Sequence, residues 1–484
     1  MRTDIPADVT ALLRTAPWLD EQLRPGPFRV LDQAVLGSSR LLVVAPEVGS
    51  VRYFVPVLDA DPGREATRTD DHDRAVVRAL RDGLRLPTAA GNVVEFDGTP
   101  PPYRGGLPFA PGWSSNALSL VDLGGAAHVH KAYRRLSAGT REPRMMRLMG
   151  PGGRTQRWVG DYHYVDRDTG RRLPLGVVYA YADGDGLDLP LRHSIRAMWP
   201  LLADGAGVAD AVDTVQRGLV DRLPEAGRFL RAFHDELAAR LGPAPDFPAE
   251  RFVAETAARV ARLNPLILAD DRHPGPVRAA VAAALADEIA RQATAAPGNW
   301  PSGATHGDLH LSHFLRAETG TGWRMRLIDL STPAVDPADP DHADQSPWQD
   351  LVSLLRGLEI FTADEFAHQA AIDLDTDGDE TCRTALLLTA GHRPDTAGWT
   401  ADRLAVLRRS QAAAQLWARR VRRLLIAGYA DPGTEPERQP AWRMFRLRRL
   451  VHELDYAYAH DMPYHAAINL RHALETLRPA TGEG

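Results

Sequence analysis

Two short segments that each carry an aspartate constrain the fold of this 484-residue chain more than any other feature. Asp308 lies in a turn-like run between two predicted helices, and Asp329 ends a short apolar run 21 residues later. A carboxylate in such a turn can orient a hydroxyl group and accept its proton, whereas one at the end of a strand can hold a divalent cation against phosphate groups. Either aspartate alone is more simply explained as a helix cap or a loop residue. The pair therefore needs support from elsewhere in the chain.

Lys131 is the one lysine among 57 basic residues, and all the others are arginine. A chain rich in Ala, Arg, Gly and Pro indicates a GC-biased coding background, in which arginine replaces lysine wherever only charge is needed. A position that keeps lysine is then a candidate for a compact ammonium group, for which the planar guanidinium is not equivalent. Composition alone favours a lysine that survived by drift on a solvated face, so its neighbourhood decides the matter.

The neighbourhood of Lys131 predicts a β-hairpin, because apolar residues alternate on both sides of a turn at residues 122–125. A small polar loop with Ser115 and Asn116 precedes it. Such a hairpin can fold the loop over a nucleotide while the lysine reaches the phosphates, as protein-kinase-like enzymes hold ATP. The loop alone is a weak signal, since it lacks the glycines of a phosphate-binding motif. Together with Asp308 and Asp329, the hairpin predicts kinase-type phosphoryl transfer.

The hydrophobic pattern changes near residue 190, from short strand-like runs to long helical periodicities. We therefore predict an α+β, bilobal architecture with an N-terminal cap at residues 1–100, a strand-rich nucleotide-binding lobe at 101–185 and a helical lobe at 186–484. A segment rich in Pro and Gly at 98–112 is predicted to be a linker. Helices are predicted at 208–241, 249–263, 277–293, 348–360, 400–429 and 442–477. The adenine base is expected at the junction of the lobes, where Tyr179, Tyr181 and Ala182 lie.

Composition excludes several classes of protein. A formal charge of −6 without a lysine-rich run argues against a nucleic-acid partner. No apolar run is long enough to cross a membrane, and the first twenty residues do not resemble a signal peptide. The single cysteine, Cys382, excludes internal disulfides and a cysteine-rich zinc site. We expect a soluble, cytoplasmic protein with a small-molecule partner; a monomer is favoured, although the sequence leaves the oligomeric state open.

The run from His306 to His310 followed by Ile328 and Asp329 resembles the signature of aminoglycoside-phosphotransferase-like kinases. The wider pattern is similar to actinobacterial maltokinases and the related glucosamine kinases. This similarity extends from residue 100 to 475 and includes Ser115-Asn116, Lys131 with the turn after it, and residues 346–351, 417–429 and 450–456. The resemblance implies a protein-kinase-like fold, ATP, Mg²⁺ and transfer to a hydroxyl group of a sugar.

The resemblance also implies a role for individual residues. By position in the family pattern, Asp308 would be the catalytic base and Asp329 the main metal ligand. Lys131, Ser115 and Asn116 would contact the phosphates, and Tyr179, Tyr181 and Ala182 would border the adenine. The acceptor would be bound by Asp308, His310 and Glu453.

The sequence departs from the family pattern at three places. His313 stands where the family has a glutamine that helps to hold Mg²⁺, and an imidazole prefers softer ions. The glutamate expected to pair with the lysine falls near Met146, and Glu142 is the nearby substitute. Residues 330–333 lack the acidic residue that follows the metal aspartate in the family. Besides an enzyme, these departures leave open a pseudokinase-like protein that binds nucleotide or sugar without turnover.

Among acceptors we rank an amino sugar such as glucosamine first, then maltose, then a cyclitol of a secondary-metabolite pathway. An aminoglycoside acceptor is disfavoured. Two further features receive structural interpretations. His234 is interpreted as a structural histidine. The basic cluster of Arg419, Arg420, Arg422 and Arg423 is interpreted as a solvated helix face paired with acids rather than a phosphate site.

Overall fold

The computed structural model describes residues 3–4, 6–19, 22–110, 114–294, 300–320, 322–330, 345–392, 394, 398–431 and 433–477. The chain forms two compact units. Unit 1 contains residues 1–183 and 326–337, and unit 2 contains residues 184–325 and 338–484.

Unit 1 is rich in strands. Its strands are β1 (Thr3–Asp4), β2 (Phe28–Leu36), β3 (Ser39–Pro46), β4 (Arg52–Leu58), β5 (Arg85–Pro87), β6 (Val93–Gly98), β7 (Tyr103–Leu107), β8 (Ala117–Leu123), β9 (Ala126–Ala132), β10 (Arg135–Leu136), β11 (Trp158–Val165) and β12 (Arg172–Ala180). Its helices are α1 (Ala7–Thr15), α2 (Asp70–Asp82) and α3 (Glu142–Met149). The strands form a five-stranded sheet in the order β1-β2-β3-β4-β10 and a seven-stranded sheet in the order β5-β6-β11-β12-β9-β8-β7.

The amphipathic helix α2 packs on the core of unit 1. It begins after Thr69, whose hydroxyl accepts a backbone hydrogen bond from the first turn, and ends at Gly83 in the left-handed conformation. Its buried residues Val76 and Leu80 belong to the same apolar cluster as Phe96 of β6. The burial of this one helical face explains why α2 forms despite its otherwise polar sequence.

The predicted lysine hairpin is confirmed as β8 and β9. Gly124 and Gly125 make its turn with positive φ angles of 64° and 94°. Lys131 pairs with Leu118 of β8 on one side and with Val177 of β12 on the other, so it lies inside the seven-stranded sheet.

The predicted linker at residues 98–112 is wrong in part, because β7 lies within it. Gly105 and Gly106 pair with Asp122 and Val121 of β8. Strand pairing at a sheet edge uses backbone groups and needs no apolar pattern, so the composition of this segment concealed it. The strands β5 and β6 belong to the same sheet, so the predicted boundary near residue 100 lies between two strands of one sheet.

Unit 2 is mainly helical. Its helices are α4 (Asp188–Ala203), α5 (Val208–Gln216), α6 (Arg222–Leu241), α7 (Ala249–Ala269), α8 (Gly275–Thr294), α9 (Pro347–Asp373), α10 (Gly378–Thr389), α11 (Ala401–Tyr429), α12 (Pro440–Ala459) and α13 (Pro463–Leu477). A small sheet in the order β13-β14-β15 contains β13 (Asp185–Gly186), β14 (Phe314–Thr319) and β15 (Gly322–Leu327), whose last two residues belong to unit 1.

Two predicted helices are each divided in the structure. Residues 208–241 form α5 and α6, and residues 442–477 lie in α12 and α13. The second interruption is explained by Asp461, whose φ is 48°, and by Pro463, which cannot continue a preceding helix but suits the first position of a new one. The helices α4 and α10 were not predicted. None of the described helices has the length and apolar character needed to cross a membrane.

Helices α6 and α11 approach each other closely through two glycines. A Cβ atom on Gly227 of α6 would collide with the backbone of α11 at Leu425, and one on Gly428 of α11 would collide with Pro224. This close packing brings His234 of α6 within hydrogen-bond distance of Tyr429 at the end of α11, with Nδ1 2.9 Å from the hydroxyl oxygen.

Candidate active site

The ammonium group of Lys131 in unit 1 lies between two carboxylates. Its Nζ is 2.5 Å from Oδ1 of Asp329 and 2.9 Å from Oε2 of Glu142, and the residue is only 4% exposed. Burial alone would lower the pKa of Lys131, but the charges of Glu142 and Asp329 outweigh it and raise that pKa above its ordinary value. The lysine is therefore a fixed positive charge in this cluster, which we call the lysine corner.

Glu142 is the carboxylate partner of Lys131. It is the first residue of α3, one turn before Met146, and is fully buried. Its Oε2 also accepts a hydrogen bond of 2.7 Å from the hydroxyl of Tyr133. Burial raises the pKa of Glu142, and Lys131 opposes that rise. The partner expected near Met146 is thus supplied one helical turn earlier.

Asp329 presents the more accessible carboxylate of the lysine corner, with 36% of its side chain exposed. Its φ of 56° is left-handed, a conformation that aspartate tolerates better than most residues. The segment before it is anchored by Leu327, which forms an isolated parallel bridge with Thr155 and donates its N–H to the carbonyl of Arg154 at 2.8 Å. A partly exposed carboxylate is thereby held two residues after the end of β15.

The loop before β8 is tied to the end of β9. The side-chain oxygen of Asn116 accepts from the backbone N–H of Arg134 at 3.3 Å, and the Asn116 N–H donates to Ser114 Oγ at 3.1 Å. Ser115 is exposed. The predicted phosphate loop thus lies in the same unit as Lys131, with Ser115 open to solvent.

The three predicted adenine residues lie at and after the end of β12, in different environments. Tyr179 is buried, and burial raises its pKa; the charge of Lys131 opposes this rise, whereas the charges of Glu142 and Asp329 add to it. Tyr181 is 40% exposed, and its backbone N–H donates to Ala127. Ala182 is buried. Of the three, Tyr181 has the side chain most open to a ligand.

The segment around Asp308 in unit 2, which we call the catalytic loop (residues 305–315), is held by Asp350. This residue lies in the first turn of α9, which begins with a capping box at Ser346. Its carboxylate accepts the backbone N–H groups of His306 at 2.5 Å and Gly307 at 3.0 Å. Gly307 has a φ of 101°, which favours glycine.

Asp350 is itself held by His234, whose Nε2 lies 2.9 Å from its Oδ2. Burial would raise the pKa of Asp350, but the hydrogen bonds from His234 and the loop outweigh it and keep that pKa below its ordinary value. We call the chain of Tyr429, His234 and Asp350 the loop clamp. The interpretation of His234 as a structural histidine agrees with these contacts.

His313 has a defined tautomer in its neutral form. Its Nδ1 is 2.9 Å from the carbonyl oxygen of Asp308, which can only accept, so Nδ1 carries the proton and Nε2 carries the lone pair. The ring of His310 lies 3.5 Å from it, centroid to centroid. Ligand atoms of Asp308, His310 and His313 lie within 4.8 Å of one another and could hold a metal ion. Two imidazoles and one carboxylate suit a softer divalent ion better than Mg²⁺, which prefers oxygen.

Glu453 of α12 already has two guanidinium partners. Arg356 donates to its Oε2 at 2.6 Å, and Arg449 donates to its Oε1 at 3.1 Å. Gly357, the neighbour of Arg356, lies against His310, because a Cβ there would be 3.8 Å from the Cβ of His310. Helix α9 therefore connects the two predicted acceptor residues, His310 and Glu453, through adjacent positions.

Sequence reasoning assigned no functional role to Asp350 or Tyr429. The capping sequence from Ser346 to Gln349 indicates a helix start and so places Asp350 in a first turn. Its partner His234 is 116 residues away in the chain, and no local pattern joins the two.

Solved structures of glucosamine kinases share this fold. One, in complex with glucosamine, ADP and inorganic phosphate, is 22% identical with a TM-score of 0.56, and the match covers 97% of this chain and 99% of that chain. Another, a glucosamine kinase in crystal form B, is 20% identical with a TM-score of 0.56, covering 99% of this chain and 98% of that chain. Neither models of protein families nor the sequences of curated proteins match this chain. The predicted α+β, protein-kinase-like fold is confirmed.

Proposed function

We propose that the protein is an ATP-dependent phosphotransferase that phosphorylates a hydroxyl group of a sugar, with an amino sugar such as glucosamine as the first candidate. The observation that carries this proposal is the lysine corner, where the buried ammonium of Lys131 bridges Glu142 and Asp329. It combines a fixed cation for phosphate groups with a partly exposed carboxylate for a divalent ion, which is the combination that phosphoryl transfer uses.

In the proposed reaction Asp308 orients the acceptor hydroxyl and accepts its proton. The hydroxyl oxygen forms a bond to the γ-phosphorus of ATP while the bond from that phosphorus to the β–γ bridging oxygen breaks, and ADP leaves with the electron pair. Lys131 contacts the phosphates, Ser115 and Asn116 cover them, and Tyr179, Tyr181 and Ala182 border the adenine. Because the N–H of Tyr181 is paired with Ala127, its exposed side chain is the group proposed to contact the base.

We assign the divalent cation, Mg²⁺ in the first instance, to Asp329 and His313. The partly exposed Asp329 oxygen suits Mg²⁺, whereas Nε2 of His313 suits a softer ion such as Mn²⁺. When bound, the cation supplies charge neutralisation for the phosphates.

The acceptor is proposed to bind beside α9, between His310 and Glu453. Since both oxygens of Glu453 already accept from guanidinium groups, its orientation is set before an acceptor arrives. An ammonium group near the carboxylates of Asp308 and Glu453 favours glucosamine over maltose or a cyclitol. The glucosamine kinase with bound glucosamine and ADP adds support at the level of fold.

The test measures ADP release with glucosamine, maltose, glucose, cyclitols and an aminoglycoside, each with Mg²⁺ and with Mn²⁺. We expect one strong acceptor, glucosamine. Strong turnover of another sugar would overturn the acceptor assignment but keep the reaction. Nucleotide binding without turnover on any acceptor would overturn the reaction and favour the pseudokinase-like alternative, which His313 motivates. Met146 gives no support to this alternative, because Glu142 supplies the carboxylate that pairs with Lys131.

A further inference from the structure

A cavity of about 460 Å³ lies among α9, α11, α12 and α13 of unit 2. Its charged lining consists of four arginines and two glutamates, namely Arg419, Arg422, Arg446, Arg471, Glu359 and Glu475. We call it the arginine cavity. The volume is that of a small-molecule site, and the lining has an excess of positive charge.

Glu359 is shared among several guanidinium groups. Its carboxylate forms ion pairs with Arg446, with Arg422 and with Arg356, which lies outside the arginine cavity. These guanidinium groups outweigh burial and lower the pKa of Glu359 to about 2. Burial and the neighbouring Arg422 and Arg356 still hold the pKa of Arg446 below its ordinary value. Arg422 and Arg356 also pair with Glu437 and Glu453, which lie outside the lining, so the excess of positive charge is confined to Arg419 and Arg471 beside Glu475.

Arg471 is the least exposed of the four arginines in the lining, with 4% of its surface exposed. Its guanidinium lies over the ring of Phe366, and its Nε is 3.4 Å from Glu475. Its Nη1 is buried without a hydrogen-bond partner among the described residues. A buried donor without a partner is costly unless a ligand satisfies it, and an anion is the natural ligand of a guanidinium.

Neutral polar groups complete the lining. Gln415 donates its amide N–H to Glu475 at 2.8 Å, which directs that donor to the protein and leaves the amide oxygen as an acceptor. The hydroxyl of Thr362 donates to the carbonyl of Leu358 at 2.7 Å and likewise retains an acceptor oxygen. Such acceptors suit the hydroxyl groups of a ligand.

We propose that the arginine cavity binds a phosphorylated sugar or polyol, whose phosphate contacts Arg471 and Arg419 and whose hydroxyl groups contact Gln415 and Thr362. None of the residues that line the arginine cavity belongs to the catalytic loop or to the lysine corner, and the proposal does not depend on the proposed phosphotransfer. The interpretation of the arginines on α11 as a solvated face agrees with Arg420, which pairs with Asp213, and with Arg419, which is exposed. The proposal adds a ligand contact to Arg419.

Isothermal titration calorimetry of the full chain with glucose 6-phosphate, inorganic phosphate and glucose tests the proposal. We expect glucose 6-phosphate to bind at least about tenfold more tightly than phosphate, and glucose to show no binding. Equal affinity for phosphate and the sugar phosphate would overturn the assignment to a polyol ester. No binding of either anion would overturn the site.

Two variants locate the binding. Arg419→Gln changes an exposed side chain, so it should fold, and Arg471→Gln removes the buried cation. Each should weaken glucose 6-phosphate binding by about tenfold. Arg408→Gln, exposed on the same helix and outside the lining, is the matched control and should bind as the wild type does. Unchanged affinity in Arg419→Gln would exclude the arginine cavity as the site, whatever happens to Arg471→Gln.

Discussion

The lysine corner and the loop clamp both depend on a buried aspartate or glutamate, but they use it in opposite ways. In the lysine corner Glu142 and Asp329 hold a full positive charge, and Asp329 keeps 36% of its side chain exposed. In the loop clamp Asp350 is 2% exposed, and its carboxylate oxygens accept hydrogen bonds from two backbone N–H groups and one imidazole. The first arrangement can bind a ligand; the second can only position the chain.

This difference separates groups that act on a substrate from groups that fix a loop. The charged side chains of the lysine corner can exchange partners when phosphates bind, because their ion pairs do not involve backbone hydrogen bonds. The clamp cannot rearrange without leaving buried N–H groups unpaired, which is costly. Substitutions should therefore affect ligand binding in the lysine corner and turnover in the clamped loop.

The largest effect is expected for Asp308→Asn, which removes the proposed base and keeps the shape of the loop. We expect kcat to fall by about 10³-fold with little change in KM for ATP, because general base catalysis contributes on this scale. Steady-state ADP release and nucleotide titration measure the two quantities. If the variant kept more than a tenth of the wild-type turnover, Asp308 would not be the catalytic base.

Asp350→Asn should come next, with kcat lower by roughly 10–100-fold and ATP binding unchanged, since a small displacement of the loop is enough for such a loss. The amide keeps only one of the two oxygens that accept from the loop, so one of the two loop N–H groups loses its acceptor. Asp364→Asn, on the same helix with an exposed contact to Tyr464, is the matched control. A rise in KM for ATP without a loss of kcat would contradict the distinction between the two regions.

Lys131→Ala should raise KM for ATP by about tenfold and lower the free energy of unfolding by about 3 kcal/mol, because Glu142 is left buried without its cation. The double variant Lys131→Ala/Glu142→Gln should recover part of the stability but none of the ATP affinity. Chemical denaturation and ATP titration of both variants provide the comparison. Recovery of both properties together would mean that the lysine acts on the fold alone.

The loop clamp should also affect how the free energy of unfolding depends on pH in the acidic range. Because the pKa of Asp350 is lower in the folded chain than its ordinary value of 3.8, its contribution to stability is complete above that value. The contribution is lost as the pH falls through the folded pKa. Asp350→Asn should lack this part of the acid dependence, so the stability difference between wild type and variant should shrink between pH 5 and pH 2. A constant difference would show that Asp350 is not ionised in the clamp.

The smallest effect is expected for His313→Gln, which places an oxygen donor at this position. The ratio of activity with Mn²⁺ to activity with Mg²⁺ should fall several-fold, because the amide oxygen suits the harder ion. Binding of Mn²⁺ without nucleotide, followed by electron paramagnetic resonance, should weaken in the same variant. His193→Gln, an exposed histidine of α4, should change neither property. An unaltered ratio would exclude His313 as a metal ligand.

Local patterns predicted the parts of the site that are local in sequence. The β8–β9 hairpin follows from alternation and two glycines, and the catalytic loop follows from its motif. Asp350 and His234 could not be paired from sequence, because they lie on different helices, α9 and α6, 116 residues apart in the chain. The contact of His234 with Tyr429 depends on the close approach of α6 and α11 at Gly227 and Gly428.

The missed elements had weak or misleading local signals. β7 is an edge strand with two glycines, and pairing there depends on backbone groups alone. Helix α4 contains Pro200, which argues against a helix interior. For α10 the signal was present, since Asp377 accepts the N–H of Glu380 at 2.6 Å as an N-cap, but the surrounding aspartates obscured it.

The position of Lys131 has a practical consequence for proteolysis. A protease that cleaves only after lysine has one target bond in all 484 residues, and that bond lies in β9 between two paired strands. Cleavage requires an extended, unpaired segment, so the seven-stranded sheet must open before the chain is cut. Each cut yields the same two fragments. The rate at which these fragments appear therefore measures the opening of unit 1 without a chemical label.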